Sequence, residues 1–355
     1  MTEFEPMKIF ENDSLLCGQY RIIATLSATI AGTVYLCQDE TTGENVVLRH
    51  LPSVLFQSEE DIQKIKDAVQ PLFTLNHKNI AACRQLQKDP DTGEYFLISD
   101  YVNGIDLTEW TKQKKVNGVL PPHEIVPVIK QIADALDYAH SQQVVHRDLK
   151  PENIMIEADG TVRLLDFFIT AEIRECMALH TPPGYGETKG NPPYVAPEQW
   201  RESRIYANSD QYALGILIYE LLADELPYKC TRQTSPAIHK ELTITEEPEP
   251  IDGVSQAVWD IIARMVKKDP ADRFPTCKNI AFTLERLLPP PQPELPEPTE
   301  IIPPKKKSNM LIFILLFSIC GGIVGWILKN LPGAITGAVS GIVIGFLLGL
   351  LCRKK

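Results

Sequence analysis

The stretch 289–304 constrains this chain more than any other feature: eight of its sixteen residues are proline and three are glutamate. Proline fixes φ and has no N–H to give a helix or a sheet, so such a stretch builds no core and favours extended polyproline II. At about 3.1 Å per residue it reaches up to roughly 50 Å. Whatever folds must fold on one side of it or the other. The 288 residues before the break suffice for one large domain with a sizeable core. Beyond it, 310–328 and 331–352 are 19 and 22 residues without a charge, each long enough to span about 30 Å of hydrocarbon.

Lys305, Lys306 and Lys307 precede the two apolar stretches, Arg353, Lys354 and Lys355 follow them, and only Lys329 lies between. By the positive-inside rule this predicts a two-pass transmembrane hairpin, helices 310–328 and 331–352, with both termini cytoplasmic. A re-entrant or interfacial hairpin is the alternative, given so tight a turn at Lys329 and Asn330. Gly333, Gly337, Gly341, Gly345 and Gly349 form a smooth stripe on the second helix, and Gly321 and Gly325 offer a matching face on the first. Packing within the hairpin, or a homodimer through the same stripe, would use it. The expected organisation is an N-terminal extension (1–14), a domain (15–288), a Pro-rich juxtamembrane linker with a basic flank (289–309), the two helices and a basic tail (353–355).

The net charge of −11 argues against nucleic acid as a partner, because phosphate contacts need a positive surface. Eight scattered cysteines with no zinc-like spacing read as reduced thiols, Cys352 beside the bilayer among them. The acidic amino terminus has no apolar run and predicts no cleaved signal peptide.

Within the domain, 20–26, 33–38, 45–51 and 95–101 are rich in β-branched and aromatic residues and read as strands, with a turn at 41–44 between the second and third. Ile62, Ile65, Ala68, Val69 and Leu72 fall at helical spacing over 61–75, which Pro71 should kink or end. Helices follow over 124–140 and, apolar nearly all round, over 211–222. Strands first and helices second predict an α+β fold, a small β-rich lobe on a larger helical one.

The chemistry is concentrated in Val145-His146-Arg147-Asp148-Leu149-Lys150-Pro151-Glu152-Asn153. Asp166-Phe167 follows thirteen residues later, then Ala196-Pro197-Glu198, then the run Ser209-Asp210-Gln211-Tyr212-Ala213-Leu214-Gly215, then Asp269-Pro270 with Arg273. In order and distance these resemble the catalytic loop H-R-D-L-K-P-E-N, the D-F of D-F-G, A-P-E and the late D-P-x-x-R of protein kinases. Of that superfamily the chain looks most like the Hanks-type, eukaryotic-like serine/threonine kinases of bacteria. The resemblance implies a bilobal fold, a β-rich N-lobe over about 15–102 and a helical C-lobe over about 103–288. It further implies ATP and Mg²⁺, with Asp148 orienting the acceptor hydroxyl, Lys150 steadying the γ-phosphate, and Asn153 and Asp166 holding the metal. Val34 and Met155 would sandwich the adenine, and Asp100, Val102 and Asp106 would lie on the nucleotide side of the cleft. His146 and Phe167 would stack with Leu72, Glu198 would pair with Arg273, and Asp210 would begin the central helix.

Four departures sit where ATP should be gripped. The glycine loop falls on Ser27-Ala28-Thr29-Ile30-Ala31-Gly32 and keeps one glycine of three, which should hold the backbone farther from phosphate. Val46-Val47-Leu48-Arg49 stands for V-A-I-K, so a planar guanidinium replaces a compact ammonium and Val47 narrows the adenine pocket. Counting back from Leu75-Asn76-His77, Ala68 occupies the place of the helix glutamate, with Asp67 about 100° away around the helix. Phe168 replaces the glycine of D-F-G. Nucleotide binding is therefore expected to be weak. Thr170, Thr181 and Thr188 of the activation segment 166–198 are candidate phosphate acceptors that Arg147 would receive, Thr188 first because it is nearest the 190–194 substrate loop.

Two functions fit: a membrane-anchored serine/threonine kinase, slow or partner-dependent, acting on a protein substrate, or a pseudokinase scaffold tethered to membrane lipid.

Overall fold

The computed structural model describes residues 9–29, 32–118, 120–167, 192–202 and 206–287. The apolar stretches at 310–328 and 331–352, the glycine stripe, Phe168, Thr170, Thr181, Thr188 and Cys352 lie outside them. Among the described residues no helix is long and apolar enough to cross a membrane.

The first half is a six-stranded antiparallel sheet in the order β1-β2-β3-β4-β6-β5. Its strands are β1 (Leu15–Leu16), β2 (Tyr20–Thr29), β3 (Gly32–Asp39), β4 (Asn45–His50), β5 (Cys83–Lys88) and β6 (Tyr95–Asp100). Alternation along β4 decides its two faces. Val46, Leu48 and His50 are buried against Phe10, Tyr35 and Phe96 on the outer side, so Val47 and Arg49 project to the other. Gly32 has φ +129°, and a Cβ there would lie 2.4 Å from the main-chain oxygen of His50. The sole glycine kept from the glycine-loop pattern is thus required by the approach of β3 to β4.

Helix α1 (Glu59–Val69) starts at Ser58, whose hydroxyl accepts from the Asp61 N–H at 3.1 Å. It stops before Pro71, and the chain continues as a 3₁₀ turn, Gln70–Thr74, as the proline demands.

The second half holds α2 (Leu107–Lys114), α3 (Pro122–Ser141), α4 (Pro197–Glu202), α5 (Ala207–Ala223), α6 (Pro236–Thr245), α7 (Gln256–Met265) and α8 (Cys277–Leu287), with a small sheet of β7 (Gly104–Asp106), β8 (Ile154–Glu157) and β9 (Val162–Leu164). Helix α5 is buried from Ser209 to Tyr219, as its all-round apolar sequence predicts. Gly215 lets it close on α7, since a Cβ there would meet Met265 and Val266 at 2.9 Å. The two halves are sewn together at Asn79, whose Nδ2 donates to the Val162 carbonyl at 2.7 Å while Ala81 N–H donates to the Leu164 carbonyl at 2.9 Å.

Candidate active site

The loop 145–153 is set by a buried carboxylate beneath it. Asp210, at the start of α5 and 1% exposed, accepts from His146 N–H at 2.7 Å and Arg147 N–H at 2.9 Å. His140 of α3 lies 2.7 Å from the same carboxylate. Burial alone would raise the Asp210 carboxyl; the His140 hydrogen bond and charge, then His146, hold it below its ordinary value. Arg147 is thereby kept at φ +69°, a left-handed conformation that non-glycine residues adopt only when their surroundings dictate it.

Asp148 follows, 5% exposed. Lys150 Nζ donates to its Oδ2 at 2.7 Å, and Asn153 Nδ2 donates to its main-chain oxygen at 2.8 Å and to Oδ2 at 3.3 Å. With the amide nitrogen so engaged, the Asn153 amide oxygen is the atom left to face a cation. Leu165 N–H donates to the Asn153 carbonyl at 2.9 Å, which brings Asp166, at φ +57°, beside the same loop. Phe167 lies against His146 with ring centroids 4.4 Å apart, and Leu72 is buried in the same apolar cluster. Burial pushes the His146 imidazole below its usual value, against the pull of Asp210, Asp148 and Asp166.

From the sheet side, Arg49 reaches across and donates to the Asp166 carboxylate. Ser27, Val34, Arg49 and Leu97 are register partners in one row across β2, β3, β4 and β6, so Val34 stands directly beside Arg49. Helix α1 offers Arg49 no acid from the expected turn: Ala68 is there, and Asp67 instead accepts from Gln63 Nε2 at 2.7 Å on the exposed side. Cys83, beside this pair, has its thiol pushed up to about 12 by burial and then by Asp166.

The Asp100 and Asp106 carboxylates both have partners within the chain. The Asp100 carboxylate accepts from Arg84 Nε at 2.7 Å and lines a polar cavity with Arg84, Glu44 and Arg163. Asp106 N-caps α2, accepting from Glu109 N–H at 2.9 Å. Val102 is buried, Met155 is half-buried on β8 opposite Asp106, and Val47 is half-buried on the same face of β4 as Arg49.

Glu198 and Arg273 meet as the sequence pattern implies, in two parallel bonds of 2.8 Å, both residues buried. Ser209 Oγ donates to the same Glu198 carboxylate at 2.7 Å. Sequence reasoning singled out neither Glu220 nor Arg232. Their link to Glu152 and Tyr194 joins positions that no local pattern connects.

The donor set fits a divalent metal in chemistry: a carboxylate and an amide oxygen are the hard ligands such ions take. The arrangement places a near-buried carboxylate, a lysine, an amide and a second carboxylate together at the junction of the two lobes.

The family described as the protein kinase domain matches residues 20–282. Over 279 residues the chain is 30% identical to the serine/threonine-protein kinase PrkC of Bacillus subtilis, covering 77% of this chain and 42% of that protein. It is also 30% identical to the serine/threonine-protein kinase Pkn1 of Myxococcus xanthus over 278 residues, covering 77% and 38%. It spans about four-tenths of the length of these relatives. The solved Mycobacterium tuberculosis PknI kinase domain superposes with a TM-score of 0.59 at 22% identity, over 79% of this chain and all of that one. At that identity the likeness speaks for the fold.

Proposed function

This chain belongs to the protein kinase domain family, and on that premise we propose that it transfers the γ-phosphate of ATP to serine or threonine hydroxyls of a protein. The observation that carries the reading is the convergence on Asp148 of Lys150 at 2.7 Å and Asn153 at 2.8 Å, with Asp166 tied to the same loop. Asp148 accepts a hydrogen bond from the acceptor hydroxyl and aims it at phosphorus. Lys150, already on that carboxylate, would neutralise the transferred phosphoryl group. Asn153 and Asp166 would hold Mg²⁺, which supplies charge neutralisation across the phosphates. Val34, Val47 and Met155 enclose the adenine, with Val102 and the Asp100 main chain along its edge and Asp106 toward the sugar. Ser27 and Gly32 border the phosphates. Arg147 would receive phosphate on Thr188.

The test is incubation of the full chain with labelled ATP and Mg²⁺, beside Asp148→Asn. Label incorporated by the parent and lost in the variant supports transfer. A melting shift with Mg·ATP, about 2.7 kcal/mol at 100 times the dissociation constant, without any label would remove it.

A second reading rests on a different observation. Arg49 sits on Asp166 with no glutamate at position 68 to draw it away. In a scaffold that binds nucleotide without transferring phosphate, that pair would be the resting arrangement, and label would appear in neither form.

We further propose that 310–328 and 331–352 tether the chain to a membrane as a two-pass hairpin, with the kinase domain cytoplasmic at the end of the 289–309 linker. The glycine stripe Gly333 to Gly349 would serve packing within it or a homodimer. Carbonate extraction from membranes and protease protection of the amino-terminal domain would test it. Release by carbonate would refute the span.

A further inference from the structure

Arg232 sits on the segment between α5 and α6, and nothing in the catalysis above uses it. Its Nη1 donates to Glu152 Oε1 at 2.6 Å, and its Nη2 donates to Glu220 Oε1 at 2.8 Å and to the Tyr194 hydroxyl at 2.9 Å. Tyr194 donates in turn to Glu220, and the guanidinium lies 5.8 Å from its ring centroid. The three partners come from three elements. Glu152 is on the catalytic loop, four residues past Asp148; Tyr194 closes the loop assigned to substrate; Glu220 is on α5.

The placement matters more than the number of bonds. An ion pair whose job is to pin a surface segment needs one carboxylate and can sit anywhere on the lobe. This guanidinium instead bridges the catalytic loop and the substrate loop, and it stays 32% exposed while doing so. Two carboxylates face one cation there. A basic side chain arriving from outside would find the same two carboxylates and the same aromatic face that Arg232 uses.

We propose that Arg232 sets acceptor specificity by occupying, from within the chain, the position a basic side chain of the substrate would take. Peptides with arginine near the acceptor serine or threonine are thereby disfavoured. The proposal rests on the reading that the hydroxyl is presented at Asp148, so its test is a binding measurement that does not need phosphate transfer.

The probe is a fluorescein-labelled peptide with one serine in an alanine background, with arginine scanned through the flanking positions. Anisotropy is read on the full chain and on Arg232→Gln. The parent should show no arginine preference. The variant should bind at least one arginine peptide about tenfold tighter than the alanine peptide, the worth of one good charged hydrogen bond. Adding Glu152→Gln should erase the gain. Arg232→Met, which keeps the stem against Tyr194, serves if the Gln form melts early. A parent that already prefers arginine, a variant that gains no preference, a gain that survives Glu152→Gln, or no peptide binding in any form overturns the proposal. Label transfer measured in parallel judges the kinase reading separately: the expected binding pattern without incorporation sinks transfer and leaves the Arg232 assignment standing.

Discussion

Arg49 of β4 holds the carboxylate of Asp166, a residue 117 positions away in sequence. The pair joins the cation expected to touch phosphate to the carboxylate expected to touch metal. While the pair lasts, Asp166 Oδ2 is shared with the guanidinium, and α1 presents only Ala68 where an acid would draw the cation aside. Replacing Arg49→Lys together with Ala68→Glu should therefore raise kcat/KM for ATP about tenfold or more, equivalent to about 1.4 kcal/mol of transition-state stabilisation. Arg49→Lys alone should do less, because the lysine keeps Asp166 as its partner. Steady-state phosphorylation by the full chain measures both. An inert double variant would favour the scaffold.

The Glu198–Arg273 pair is buried and bidentate, and Arg273 also donates to the main-chain oxygens of Asn208 and Lys267. Removing one partner leaves an uncompensated buried charge. Glu198→Ala should cost about 3–5 kcal/mol of stability, and replacing both residues with apolar side chains should recover part of it. Urea unfolding of the three forms decides. A Glu198→Ala cost below about 1 kcal/mol would mean the pair is solvated.

How much was legible in the sequence follows from where each signal lives. The catalytic loop, Asp166, Glu198 and Arg273 are marked by motifs, and the structure ties the Asp166 segment to the loop and Glu198 to Arg273, as the kinase resemblance implies. The strand at 45–51 was legible, but that Val47 and Arg49 share one face of β4 is read from its burial pattern. Strand β5, Cys83–Lys88, gave no signal. It pairs only with β6 at the sheet edge, is mostly polar and has no fully buried residue, and such a strand needs no apolar alternation. The partners of the Asp100 and Asp106 side chains were illegible for another reason. An arginine on β5 and the first turn of α2 take the two carboxylates, and neither partner is marked by the residues around it. The Arg49–Asp166 contact is long-range, so nothing local announces it.

Gly32 separates two explanations of the one glycine kept from the glycine-loop pattern. If glycine served only to bring phosphate close, Gly32→Ala would affect nucleotide binding and leave the fold alone. The geometry demands more: a Cβ 2.4 Å from the His50 carbonyl, at φ +129°. Gly32→Ala should lower stability by about 1–3 kcal/mol without nucleotide present. Gly43→Ala, with φ +77° and open space around it, should cost about 1 kcal/mol from the backbone alone. Equal melting temperatures for the two variants would show that β3 can move off β4 freely.

The acid side of the stability curve should carry the signature of His146. The imidazole is fully buried and its pKa is lowered by burial, so between its folded value and the ordinary 6.5 the unfolded chain binds more protons than the native one. Stability then rises with pH through that window and is lost as pH falls below about 6.5. His239, 2% exposed and likewise lowered by burial, adds a slope of the same sign. Asp210 adds none there. Its carboxyl is held below its ordinary 3.8, so it is ionised in both states near neutrality, and its contribution disappears only in stronger acid. Melting temperature should therefore drop between about pH 7 and pH 5, and His146→Phe, which keeps a ring against Phe167, should drop less steeply while His239 preserves the remainder. Identical slopes for parent and variant would mean that His146 binds its proton as readily in the native state as in the unfolded one, and would overturn the assignment of the slope to it.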